Sequence, residues 1–530
     1  MTSRGSDGPP SRPRAPPRSN AFPIPPSRQT ATVLFGALLT LGAAPSSAQS
    51  WHIEPAFSAQ ETLTNNVNLV SDESRRSDLV SQLTPSLRVT EKGARTSLIG
   101  FLSLPVLLYA RTGSQNNNAY PTADLLGDLA LVENWLHVEG RITISQQYFN
   151  PFGGQPLGLD TATQNRYESD TYRLSPYIKG VTPGGTSYEL RNDNVWTNVS
   201  NTPVAANDFH YTQFKGNAAH AESIVGWQAD FNVNDVAVND GSTFRTRLVR
   251  LQPLYNVDPQ LRLVATVGYE ENHFPSDDSS DVIYGGAFEW HPTPRTDVLG
   301  SLEHRFFGAG YQFSFDHRTP LTVWKVRISR TTTSFPQQLA SLPAGGDVSA
   351  FLNNLFLATI PDAALRQQTV DQFIRDRGLP PVLTNALNLY SQQVFLQQSQ
   401  TASVGLLGTR NTLVLTIFNV RSQPISASGN PLVTPIAFGD NSRQTGVKLL
   451  WSHKLTQSVV VDATVERLRT VANAPLEGKT NQTALRIAVS TPLTAKTTLF
   501  AGARYQTLSS DIATDYNETA AFIGVTHTFR

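Results

Sequence analysis

The 530-residue chain contains no cysteine, which excludes a disulfide framework, thiolate metal sites and thiol nucleophiles. Charged residues make up only 16%, with 42 basic against 42 acidic side chains, and no basic surface is left for nucleic acid. No apolar stretch reaches the roughly 18 to 20 residues of a membrane helix. The run Ala31 to Ala44 is shorter. It follows Arg4, Arg12, Arg14, Arg18 and Arg28 and precedes Ser46-Ser47-Ala48, a pattern that predicts a cleaved signal peptide over 1–48 with a basic, Pro-rich n-region. Losing five arginines and Asp7 with it leaves a net charge near −4. His-Glu-x-x-His, Gly-x-Ser-x-Gly and phosphate-loop patterns are missing as well. The expectation is a non-enzyme with no catalytic residue, metal site or cofactor.

What the chain has is alternation. In 136–148, Leu136, Val138, Ile142, Ile144 and Tyr148 share one face, while His137, Glu139, Arg141, Thr143, Ser145 and Gln147 share the other. Residues 225–234 repeat the pattern, with Val225, Trp227, Ala229, Phe231 and Val233 against Gln228, Asp230, Asn232 and Asn234. These polar faces carry too much charge and amide for a dry core. Segments of this kind recur from Trp51 almost to Arg530. They predict an all-β fold, a transmembrane antiparallel β-barrel of about 22 strands (range roughly 16–22) spanning 49–330 and 392–530.

Connections support the same reading. Tight turns such as Glu91-Lys92-Gly93, Thr182-Pro183-Gly184-Gly185 and Val257-Asp258-Pro259 alternate with long polar stretches, including 65–77, 149–169, 273–280, 422–442, 470–480 and 507–516. Long outside and short inside is the asymmetry of outer-membrane barrels. Trp51, Tyr148, Tyr172, Trp196, Trp227, Trp290, Trp451 and Tyr505 lie towards strand ends, as girdles at the membrane interfaces require. The alternation ceases between 331 and 391. There Phe351, Leu352, Leu355 and Phe356 recur at helical spacing, and Pro361-Asp362 opens a second run with Ala364, Leu365, Val370, Phe373 and Ile374. Two amphipathic helices fit this insertion, either as a lumenal plug or as an extracellular loop on the rim.

If the polar faces line a lumen, they set what passes. The inward candidates are Glu139, Arg141, Arg173, Lys179, Asp230, Arg262, Glu270, Asp462, Glu466, Arg486 and Arg504. Their mixed signs argue against a strongly ion-selective pore and suit a neutral or weakly charged glycan, or a structural network. Asp277, Asp278 and Asp281 cluster in an expected outer loop, where a solvated acidic loop outweighs a Ca²⁺ site.

Several short segments carry a family likeness: Thr64-Asn65-Asn66-Val67-Asn68-Leu69, Pro294-Arg295-Thr296, and His304-Arg305-Phe306-Phe307-Gly308 leading through Tyr311 to Asp316-His317-Arg318 and Trp324. With the Pro-Asp insertion and Gly408-Thr409-Arg410-Asn411, the chain resembles the PEP-CTERM/exosortase system-associated outer-membrane proteins, a branch of the β-barrel porins. The family motif residues so marked are His304, Arg305, Phe306, Phe307 and Gly308. The resemblance implies a Gram-negative outer membrane and association with exopolysaccharide production loci, with exopolysaccharide or its export proteins as partners. It implies no molecular activity. Asn65 stands where the family favours Asp, and Arg530 follows the aromatic that ends the last strand in chains read by the barrel-assembly machinery. The expected function is a porin-like channel or export conduit in outer-membrane lipid. The alternatives are a non-conducting assembly barrel and a rim-active hydrolase.

Overall fold

A computed structural model describes residues 50–529 apart from 201–207, 222, 240–241, 275–277, 342–345, 358, 378–392, 426–440 and 474–476. The expected signal peptide over 1–48 lies outside the described residues. The first half of the wall comprises β1 (Ser50–Thr64), β2 (Asp78–Lys92), β3 (Thr96–Ser103 and Val106–Tyr109), β4 (Asn118–Ala119 and Thr122–Val132), β5 (Leu136–Tyr148), β6 (Arg166–Val181), β7 (Ser187–Ser200), β8 (Phe209–His220), β9 (Val225–Val238), β10 (Thr243–Asn256) and β11 (Leu261–His273). The second half comprises β12 (Asp278–Thr293), β13 (Thr296–Arg305), β14 (Gly308–Arg318), β15 (Thr322–Ser334), β16 (Val394–Leu407), β17 (Asn411–Pro424), β18 (Ser442–Lys454), β19 (Val460–Ala472), β20 (Gly478–Thr494), β21 (Thr497–Ser510) and β22 (Tyr516–Thr528).

Each strand pairs antiparallel with its neighbours, and β1 closes on β22 from Thr64↔Ala520 to Ala56↔Thr528, giving a closed barrel of 22 strands. β3 and β4 are each interrupted where a proline withdraws an N–H from the ladder, at Pro105 and Pro121. The register continues across the break in β3: Ser86↔Ser103 and Leu83↔Val106 belong to one ladder.

The two faces of the sheet invert the packing of a soluble protein. Leu63, Val249, Val267, Tyr284, Leu485 and Ile523 point outward and are exposed, while Glu54, Thr62, Glu270, Gln482 and Glu518 point inward and are buried. Only lipid makes such an exterior favourable. Six of the seven tryptophans, Trp51, Trp135, Trp227, Trp290, Trp324 and Trp451, sit at the end of the barrel that carries the short turns. This is the aromatic girdle of the periplasmic interface.

Connections after even-numbered strands are all two to five residues long. After odd-numbered strands the long connection 65–77 is found as expected, whereas three others are shorter than expected. The stretches 273–280, 470–480 and 507–516, expected as long polar loops, are about half strand: β11 runs to His273 and β12 starts at Asp278, β19 runs to Ala472 and β20 starts at Gly478, and β21 runs to Ser510 and β22 starts at Tyr516. Polar side chains do not end a ladder once it has left the hydrocarbon: Thr470↔Thr480 and Thr480↔Ser510 go on pairing in the headgroup region.

The faces make a quantitative prediction. Val267, 50% exposed at mid-strand, faces lipid, whereas Leu299, 42% exposed, shares the lumenal face of β13 with Ser301 and Glu303. Val267→Arg should cost roughly 2–4 kcal/mol and Leu299→Arg well under half of that. Denaturant titrations of the refolded barrel check this, and the reverse order would mean the faces are inverted.

Candidate functional site: a doubly obstructed lumen

Alternation along the strands turns Glu139 and Arg141 (β5), Arg173 and Lys179 (β6), Asp230 (β9), Arg262 and Glu270 (β11), Asp462 and Glu466 (β19), Arg486 (β20) and Arg504 (β21) to the inner wall. They fall into separate groups. Glu139 accepts from Arg173 Nη2 at 2.5 Å and from Arg191 Nη2 at 2.6 Å, and Arg191 Nε continues to Asp193 at 2.7 Å. Arg141 holds Asp124 at 3.1 and 3.2 Å. Arg250 links Glu303 at 2.9 Å with Asp230 at 3.6 Å, and Arg262 meets Glu289 at 2.9 Å. Lys179 lies over the Tyr177 ring, and Lys448 pairs with Glu466 at 3.5 Å. Arg486 stands over the Phe522 ring, 4.7 Å from its centre. Charges of opposite sign thus neutralise one another around the wall, which leaves no ring of a single sign.

A strap formed by residues 149–165 is the first obstruction. It leaves β5 and returns at β6, yet it touches strands on the far side of the β1–β22 seam. Gln482 on β20 donates to the Gln155 carbonyl at 2.6 Å, and its Oε1 accepts from the Gln155 N–H at 3.3 Å. Asp160 forms an ion pair with Arg504 on β21, which also grips Glu518 on β22 at 2.9 Å, while Thr64 on β1 donates to Glu518 at 2.7 Å. Asp160, Arg504 and Glu518 are 1%, 5% and 0% exposed. Since these wall residues face inward, the strap lies inside the barrel. Behind it Arg166 donates to the carbonyls of Gly158 at 3.0 Å and Leu159 at 3.3 Å while stacking over Tyr120. Leu159 and Ala162 pack into a cluster of Val67, Val80, Leu107, Tyr109 and Tyr120. Gly158 is required by close approach: a Cβ there would collide with Asp160 and lie 2.8 Å from Arg504 Nη1.

This placement corrects two expectations. The stretch 149–169, read as an external loop, is lumenal up to Asn165 and strand from Arg166. Tyr148 is no girdle residue, because its hydroxyl donates to the Pro156 carbonyl at 2.9 Å within the strap. Nothing local distinguishes a polar loop in water from one in a wet lumen. The partner that fixes it, Arg504, lies 344 residues from Asp160.

The helical insertion is the second obstruction. A short helix α1 (Gly113–Asn116) caps the β3–β4 connection; the insertion adds α2 (Phe335–Ser341), α3 (Gly346–Phe356) and α4 (Ala363–Arg377). Phe335 and Leu339 of α2 enter a cluster with inward-facing Tyr167, Val195, Phe209 and Val236. Val348, Phe351, Leu352 and Leu355 of α3 pack with Val323, Val414 and Leu450, inward-facing residues near the short-turn ends of β15, β17 and β18. The insertion therefore reaches deep into the lumen from the opposite end. Val370 of α4 joins this cluster, with Phe373 and Ile374 packed against it. Asn353 donates to Gln367 at 2.7 Å, tying α3 to α4, and Asp362 caps α4 through the Leu365 N–H at 2.7 Å. Arg173 donates to the Ala340 carbonyl at 3.0 Å and so joins insertion and wall.

The motif His304 to Gly308 forms the hairpin between β13 and β14. Gly308 adopts φ +88°, Phe306-Phe307 make the two-residue tip, and Arg305 grips Glu270 through Nη2 at 2.6 Å. The Phe306 N–H donates to Glu270 at 2.7 Å, and Phe307 lies under both Arg305 and Arg330. His304 stacks on Tyr284 and meets Asp281 at 3.3 Å. Of the acidic trio, Asp277 lies outside the described residues and Asp278 pairs with His273 at 3.0 Å. Sequence reasoning missed Asp160, Arg191, Asp193, Lys448 and Glu518. Their inward parity was readable for the strand residues, but that of Asp160 was not.

Removing the strap's anchor has graded consequences. Asp160→Asn should weaken the strap by about 1–3 kcal/mol and raise open-channel conductance. Arg504→Met, which leaves two buried carboxylates facing each other, should cost about 3–5 kcal/mol. Guanidinium unfolding in detergent and planar-bilayer recording measure both. Burial by itself would raise the Asp160 carboxyl, but the Arg504 charge and hydrogen bonds from Thr62 and Arg504 hold it below the ordinary carboxylate range. A lowered folded-state pKa stabilises above the unfolded value of about 3.9 and is lost as pH falls through the lowered one. Conductance should therefore stay flat from about pH 8 to 5 and rise only below about pH 4.

No family profile and no curated protein sequence matches the chain. Among solved structures it is similar to the outer membrane transporter YddB from Escherichia coli, at 8% identity over 90% of this chain and 80% of that one, with a TM-score of 0.45. It is similar too to the siderophore receptor PirA from Acinetobacter baumannii (9% identity, 90% and 80% covered, TM-score 0.44). A third is the outer membrane protein OpdK from Pseudomonas aeruginosa (8% identity, 90% and 99% covered, TM-score 0.34). These scores are too low to argue from. The assignment to an outer-membrane barrel stands on the chain's own closed antiparallel sheet, apolar exterior and tryptophan girdle.

Proposed function

We propose that this barrel is a channel for hydrophilic, neutral or weakly charged solutes, held narrow by the strap and the insertion. The resemblance to exopolysaccharide-associated barrels supports a glycan as the solute, with exopolysaccharide or its export proteins as partners and the barrel-assembly machinery as the route into the membrane. The observation that carries the reading is the cross-neutralised inner wall. Glu139 between Arg173 and Arg191 carries one excess positive charge, which Asp193 offsets through Arg191, and Arg504 between Asp160 and Glu518 carries one excess negative charge, so no single sign dominates while hydrogen-bonding capacity remains. Such a wall suits hydroxyl-rich solutes better than ions. No covalent step is assigned: the contacts of His304 and Arg305 serve the hairpin and its neighbours.

One observation favours a non-conducting assembly barrel instead. The apolar seat of α3 on Val323, Val414 and Leu450 is that of a packed element. Replacing residues 342–392 by a short Gly/Ser linker separates the two readings, because loop exchange costs little beside a closed sheet. The channel reading expects a heat-modifiable barrel with raised single-channel conductance and passage of oligosaccharides in liposome swelling. Unchanged conductance in the folded deletion would reject that reading in favour of the assembly barrel.

A further inference from the structure

The outer wall above the apolar band is uneven in charge. Arg421 on β17, Arg443 on β18, and Arg467 and Arg469 on β19 all point outward and are exposed, near the end of the barrel opposite the tryptophan girdle. The register puts Arg421 directly across from Arg443, Arg469 across from Thr445, and Arg467 across from Val447. Four guanidinium groups thus occupy a patch three strands wide, about 10 Å from β17 to β19. Like charges directly opposed on a sheet are destabilising unless something anionic lies between them.

No strand carboxylate supplies that anion. Among the described residues, the upper outward face of β16 to β20 carries no Asp or Glu, and the one lysine there, Lys479, is already paired with Asp511 at 3.8 Å. Two other outward arginines at this height are neutralised: Arg245 pairs with Asp235, and Arg247 meets Glu271 at 3.3 Å. The patch also has a floor. Arg443, Arg467 and Arg469 line a groove of about 840 Å³ together with Leu415, Val447 and Val465, so the cationic rim continues downward into apolar wall. Asn419 accepts from Arg443 Nε at 2.8 Å and aims that side chain across the groove.

We infer that this patch binds a bisphosphorylated glycolipid of the outer leaflet, its phosphates on the arginines and its acyl chains along the apolar strip below. Guanidinium forks match phosphate oxygens bidentately, and at the headgroup level an arginine on a barrel exterior costs little. Two phosphates at the ends of a disaccharide match cations spread over three strands, whereas the single phosphate of a glycerophospholipid reaches only part of them.

The test uses the full mature chain in detergent micelles, titrated with bisphosphorylated lipid A and read by native mass spectrometry. Wild type should retain one lipid A through competition by equimolar phosphatidylglycerol or millimolar inorganic phosphate. Arg443→Gln/Arg469→Gln should weaken binding at least about tenfold, equivalent to roughly 1.4 kcal/mol. Arg245→Gln/Arg247→Gln should leave it unchanged. Equal binding by the first pair and wild type overturns the proposal, as does a matching loss in the second pair. Displacement of wild-type lipid A by phosphatidylglycerol or phosphate also overturns it, and this arm needs no variant to assemble.

Discussion

A backbone N–H or C=O in hydrocarbon has no water to turn to, and the rest of this structure depends on that constraint. Every wall strand has to be paired on both sides, so the sheet closes β1 onto β22. The seam is reinforced by the motif that follows β1. The Asn65 N–H donates to the Thr519 carbonyl at 3.1 Å, Thr519 N–H returns to Asn65 Oδ1 at 2.9 Å, and Asn66 Nδ2 reaches the Asn517 carbonyl at 2.9 Å. The same register sets Thr64, Arg504 and Glu518 side by side. Closing the barrel therefore also builds the socket that receives Asp160.

The inversion that follows from closure shifts the packing problem inward. An exterior matched to lipid leaves polar and charged groups facing one another inside, where an unpaired charge is costly and a pair with satisfied hydrogen bonds is tolerable. The wall meets this condition by alternating sign, from Arg141–Asp124 around to Arg504–Glu518. Where inner residues are apolar, as at Val323, Val414 and Leu450, an amphipathic helix covers them. The two obstructions thus differ in what holds them. The strap is fixed by buried ions and amide hydrogen bonds, and the deeper helix by apolar contact, so acid and detergent act on them differently.

Much of the fold was legible because a strand has a period of two. Once lipid is outside, the face of Glu139, Asp230 or Arg504 follows from its parity with Val138, Phe231 or Tyr505. The helical spacing of Phe351, Leu352 and Leu355 gave α3 and its buried face in the same way. Loop lengths were harder to read. Thr470 and Thr480 are polar enough for a loop and still pair, because strand propensity is undiminished above the membrane.

Parity and periodicity are local, and what they determine is local: a barrel of about this size, an apolar exterior, a polar interior and helices in one connection. Where a connection goes after leaving the wall is a long-range matter. Residues 149–165 enter the lumen only because closure carries Arg504 and Gln482 to where Asp160 and Gln155 can meet them. Likewise, Arg421, Arg443, Arg467 and Arg469 are scattered single charges in the sequence, and the β17–β19 register alone gathers them into one patch on the outer wall. A sequence records which face each residue takes, while only the closed sheet, with its fixed register, decides which faces come together.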